Sequence, residues 1–152
     1  MKPREPALLA ILLISACGPA APPAKEIQKD ATAESWYAET VNRLAALDLE
    51  ANHLFQNGKA DAAAALIEKG EPLSKKLLAV RNPTLGALEA ASDLDQIYGR
   101  MLFSNRNYGW ARLMFQKNAA RWKNWRPQTS ETARRLDEAR KAIVECDSRI
   151  VQ

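Results

Sequence analysis

The chain has 152 residues, with 22 Lys and Arg against 18 Asp and Glu, one histidine and two cysteines. One histidine and two distant cysteines make no set at metal-ligand spacing, and neither a Gly-rich phosphate loop nor a G-x-S-x-G turn is present. That argues against hydrolytic metal chemistry, phosphate-loop nucleotide chemistry and the serine-hydrolase elbow, so the expectation is a chain with no catalytic residues, no metal and no cofactor.

Lys2 and Arg4 precede an apolar stretch from Ala7 to Ile14, which is followed by the small residues Ser15, Ala16, Cys17 and Gly18. This is the basic, apolar, small-residue order of a secretory signal. A helix that crosses a bilayer needs about 20 apolar residues; the eight here read as a signal h-region. The run Ile14-Ser15-Ala16-Cys17-Gly18 resembles a bacterial lipobox. The resemblance implies cleavage before Cys17, a diacylglyceryl group on its thiol and acylation of the new amine. One acyl chain holds a protein only marginally, at about 0.8 kcal/mol per buried methylene, whereas several on one residue anchor it durably. In Gram-negative lipoproteins an Asp after the cysteine signals inner-membrane retention, so Gly18 favours the outer membrane, facing the periplasm. The alternatives are an ordinary cleaved signal peptide with an incidental cysteine and, more remotely, a cytosolic chain.

Removing residues 1–16 leaves 136, enough for one domain with a proper core. Residues 17–33 carry three prolines and little bulky apolar content, so they read as a lipidated cysteine and flexible tether ahead of a helical domain over 34–152.

From Ser35 onward the apolar residues recur at helical spacing and no alternating run argues for a strand. The expected fold class is all-α. Helix one runs from about Ala33 to Asn57 on a stripe of Tyr37, Val41, Leu44, Leu47, Ala51, Leu54 and Phe55, with Gly58 as its stop. Helix two starts near Ala60, and Gly70-Glu71-Pro72 is expected to bend or split it before it resumes to Val80. Asn82-Pro83 reads as a cap and first turn for helix three, which carries Leu85, Leu88, Ala91, Leu94, Tyr98, Met101 and Leu102 to about Ser104. Helix four, from Tyr108 to about Trp125, is expected to bury Ala111, Met114, Phe115, Trp122 and Trp125, and Arg126-Pro127 ends it. Helix five follows the cap candidates Thr129 and Ser130. Leu136, Ala139, Ile143, Cys146 and Ile150 form its apolar face, so Cys146 is expected to be a buried structural thiol.

Set against itself at an offset of 48, the chain aligns Leu54-Phe55 with Leu102-Phe103, Ala51 with Gly99, Ala63 with Ala111 and Ile67 with Phe115. A small residue where helices cross, a short turn, then an alanine and a bulky residue four later resembles the tetratricopeptide helical hairpin. The resemblance covers residues 44–125. The offset is longer than the usual repeat of about 34 residues, and Glu50 and Asp95 stand where apolar residues are typical. It implies two antiparallel hairpins capped by helix five, with the first helix of each lining a concave, peptide-binding surface. Asp48, Asn52, Gln96 and Arg100 would face that surface. The competing architecture is an irregular five-helix bundle of alanine-rich helices.

Charge is uneven, with residues 17–96 at net −4 and 97–152 at net +7. The basic half holds Trp110, Trp122 and Trp125, a composition compatible with nucleic-acid binding. Two of these tryptophans lie on the apolar face and the cations form no stripe, so no nucleic-acid partner is expected. His53 with Met101 as axial haem ligands is a remote alternative, and Glu89 with Asp93 reads as a solvated acid pair. The expected function is that of a lipid-anchored envelope adaptor whose groove holds a protein or peptide segment. Tetratricopeptide lipoproteins include envelope-assembly factors and the pilotins that escort secretin subunits. The second reading is a structural helical lipoprotein contacting itself or the cell wall.

Overall fold

Five α-helices carry the chain through the computed structural model, which describes residues 30–151; no strand occurs among the described residues. The signal segment, Cys17, Gly18 and the tether up to Lys29 lie outside the described residues. The last tether residues are ordered rather than loose: Asp30 accepts from the Thr32 amide and caps a short 3-10 turn over Ala31–Ala33.

Helix α1, Ser35–Gln56, buries Tyr37, Leu44 and Ala51 and ends at Gly58, whose φ of 72° is the left-handed conformation a glycine stop supplies. Helix α2, Ala60–Leu78, is not split at Gly70-Glu71-Pro72: it continues through Pro72 and ends two residues short of Val80. Pro72 and Glu68, whose carbonyl loses its donor, are both solvent-exposed, so that oxygen can be hydrated. Gly70 faces inward on the same helix. A Cβ there would stand 2.9 Å from a Leu94 methyl and 3.1 Å from a Leu44 methyl, which makes it the close-approach point of α2.

Helix α3, Leu85–Ser104, begins two residues later than Asn82-Pro83 implied. Thr84 is the cap, its hydroxyl accepting from the Ala87 amide at 3.3 Å, and its own N–H donates to the Tyr37 hydroxyl at 3.0 Å. Helix α4, Tyr108–Asn124, buries Ala111, Phe115, Asn118 and Trp122. Met114 and Trp125 are only half-buried, and for Trp125 the cause is visible: its extended backbone has already left the helix. Gln128 closes that end by donating to the Trp122 and Trp125 carbonyls. Helix α5, Ser130–Ile150, starts on a reciprocal capping box between Thr129 and Thr132 and buries Ala139 and Cys146. Ile150, at its end, is exposed.

Consecutive helices pack as antiparallel neighbours, α1 on α2, α3 on α4 and α4 on α5, while α3 also packs on both α1 and α2. Two apolar clusters result. The larger joins α1, α2 and α3 around Leu44, Ile67, Leu77, Leu94 and Met101; the smaller joins α4 and α5 around Ala111, Phe115 and Cys146, flanked by Leu102 and Phe103 of α3.

Gly99 lies where α3 meets α4, and a Cβ there would be 2.7 Å from the buried Phe115 ring. Overpacking of this kind costs about 1–3 kcal/mol, against about 1 kcal/mol gained by replacing a helical glycine with alanine. Because the ring is itself hemmed in, Gly99→Ala should lose roughly 2 kcal/mol in urea unfolding. Gly109→Ala, at a site with nothing within 4 Å, should lose none. Equal stability of the two variants would mean that Phe115 has room to move.

Candidate functional site

Helical spacing turns Ala45, Asp48, Leu49 and Asn52 to one side of α1, and it does the same on α3 for Asp93, Gln96, Ile97 and Arg100, each 48 positions later. These eight residues line one cavity of about 240 Å³ between the two helices. All four positions singled out from the sequence, Asp48, Asn52, Gln96 and Arg100, are brought together there.

Arg100 donates through Nη2 to Asn52 Oδ1 at 2.6 Å, a bond between equivalent positions of the two hairpins. Asp48 is 4% exposed, and neither of its carboxylate oxygens has a hydrogen-bond partner; the Arg100 Nε is buried and unpartnered as well. Burial, reinforced by the charges of Asp93 and Asp95, pushes the Asp48 carboxyl up to about 8. At neutral pH it is therefore a neutral acid, able to donate as well as accept.

The acids around Asp48 are differently placed. Asp95 is held by Lys117 at 2.8 Å and Arg121 at 3.0 Å, both from α4. Asp93 accepts from Arg135 of α5 at 2.7 Å, and Arg135 also pairs with Glu131. Further along, Gln96 and Asp93 continue into a smaller cleft whose far side is Arg135 and Glu138. Gln96 and Arg100 also border a third space of about 340 Å³, floored by Phe103, Phe115 and Ala142. The three spaces adjoin through shared lining residues, Gln96 in all of them, and together mark a candidate groove along α1, α3 and α5, polar at the first and apolar at the third. Leu49, 74% exposed, stands at its α1 rim.

The sequence presents Asp93 only as half of a solvated acid pair with Glu89. The signal that would have found it is the 48-residue register, which maps it onto Ala45 one turn before Gln96. Ser92 and Asn118 were missed as well. Both are buried, the Asn118 amide donating to the Ser92 carbonyl at 2.9 Å and the Trp122 indole N–H to the Ser92 hydroxyl at 2.8 Å. Two hydrogen-bonded polar residues on otherwise apolar faces leave no mark in a hydropathy pattern.

Other candidate chemistry is not gathered at this groove. His53 is exposed whereas Met101 is buried in the larger core, and Cys146 is fully buried, its thiol pushed up by burial with Glu145 and Asp147 adding to the effect. Among the described residues no group of three His, Cys, Asp or Glu side chains could hold a metal ion, and no helix is long and apolar enough to cross a membrane. No known protein family, curated protein or solved structure matches the chain.

Proposed function

We propose that this chain is a non-enzymatic, protein-binding adaptor, held to the bacterial envelope through a lipidated Cys17, whose groove across α1, α3 and α5 receives a segment of a partner protein. The observation that carries the reading is the pair of buried, unpartnered polar groups in one cavity wall, Asp48 and the Arg100 Nε. Leaving a buried donor or acceptor without a partner costs about 1–3 kcal/mol. A segment that satisfies both recovers that free energy on binding. The layout also suits a peptide, since a backbone supplies carbonyls and amides along its length while the apolar space beside Phe103 and Phe115 takes a side chain. The tetratricopeptide resemblance points the same way, as does the coincidence of the cavity walls with equivalent repeat positions. The lipobox resemblance supplies the location, the outer membrane facing the periplasm.

Affinity capture from the native envelope tests this with wild type beside Arg100→Glu and Asn52→Ala, each checked for native helicity. A defined partner held by wild type and lost from both variants is the expected result. Recovery of only the chain itself and lipid, unchanged by either substitution, would overturn the groove and favour a structural lipoprotein. Lipidation has a separate readout: Cys17→Ser should abolish metabolic incorporation of a labelled fatty acid.

A further inference from the structure

We propose that the cavity between α1 and α3 takes a cationic side-chain end of the docked segment, a lysine ammonium or an arginine guanidinium, with Asp48 as its counter-ion. The inference rests on the adaptor reading and adds to it the chemistry of the ligand. Three acids bear on this part of the molecule, and the protein supplies cations to two of them: Asp93 has Arg135, and Asp95 has Lys117 and Arg121. Asp48 has none. Arg100 lines the same wall but does not serve it, because its Nη2 is bound to Asn52 and its Nε is unpartnered.

Asp48 is thus the acid of this wall whose oxygens no protein cation meets. An incoming cation can pair with it without displacing one, whereas an incoming anion would find Arg100 already bound to Asn52. A volume of about 240 Å³ fits one long side chain and is below the range of about 300–1,000 Å³ typical of small-molecule sites. The walls match the two parts of such a side chain. Ala45, Leu49 and Ile97 offer surface to a methylene stem, and the Gln96 side-chain carbonyl can accept from its charged end. Both Asp48 oxygens are shut off from water, so engagement requires a rotamer change of Asp48, an adjustment common at binding interfaces. The carboxyl releases its proton as the cation arrives.

The test is a set of ¹H–¹⁵N titrations of the full-length chain with the acetylated, amidated pentapeptide Ala-Ala-Lys-Ala-Ala, its norleucine and glutamate counterparts, and free putrescine. The lysyl peptide should shift the Asn52 and Gln96 side-chain amides and bind at least tenfold more tightly than the norleucine peptide. Asp48→Asn, which keeps the shape of the side chain, should erase that preference. If the norleucine or glutamate peptide shifts the same amides equally well, the cation is wrong and the groove stands. If no peptide shifts them, the groove reading falls too. Putrescine binding as tightly as the lysyl peptide would assign the pocket to a free amine and overturn the docked side chain.

Discussion

Asp48→Asn should raise the free energy of unfolding at pH 8 by roughly 2–4 kcal/mol while changing it little at pH 4. In the folded chain the Asp48 carboxyl is pushed from 3.8 to about 8. Between those values the native state keeps a proton that the unfolded state has released. Stability contributed by the protonated acid is thus fully present below pH 4, declines as pH rises, and is gone above the folded value. Asparagine has no charge to bury, so the difference between the proteins should grow with pH and level off above pH 8. One pKa unit corresponds to about 1.4 kcal/mol; the full span is an upper bound, because a buried carboxylate recruits local relaxation. Urea unfolding of both proteins at several values from pH 4 to pH 9 gives the curve, other titrating groups cancelling in the difference. A difference independent of pH would mean that Asp48 is solvated or paired in solution.

Trp122→Ala should be the most damaging single truncation, at about 3–5 kcal/mol. The ring is 1% exposed; its N–H is committed to the Ser92 hydroxyl, and the Arg135 guanidinium lies over it at 5.3 Å from the ring centroid. It ties α3, α4 and α5 together, so its removal both opens a cavity and weakens the hold on α5. Trp122→Phe keeps most of the ring and removes the donor, and should cost about 1–2 kcal/mol, in the range for leaving a hydroxyl unpaired. Denaturant titration of the two variants separates volume from hydrogen bonding. Equal losses would assign the stability to the Ser92 bond and not to packing.

The five helices were legible because their apolar residues recur at three and four and their ends carry strong stop signals, as at Gly58 and at Asn105-Arg106-Asn107. Pro72 does not split α2 because the carbonyl it leaves without a donor, that of Glu68, is on a water-facing residue and can be hydrated, even though the ring still crowds it. Asn82-Pro83 misled because the two residues resemble a cap, whereas Thr84, held by Tyr37 from 47 positions away, makes the actual one. The 48-residue register pairs positions of α1 and α3 that line one cavity. What it did not contain was the state of Asp48. A polar residue on a helix reads as solvent-facing, and its burial without a donor arises only when α3 closes over α1. Asn118 illustrates the same limit, since its donation to the Ser92 carbonyl depends on the packing of α4 against α3.

Cys146 gives the molecule a built-in clock. It lies with Ala111 and Phe115 in a cluster separate from the larger core, is fully buried, and is the free thiol among the described residues. With its thiol also held above the usual range, a thiol reagent reaches it only when α5 lifts from α4. The labelling rate under native conditions therefore reports every opening, local or global, that separates α5 from α4. Followed as denaturant is raised from zero, it would reveal whether α5 detaches before the α1–α3 unit unfolds or only together with it.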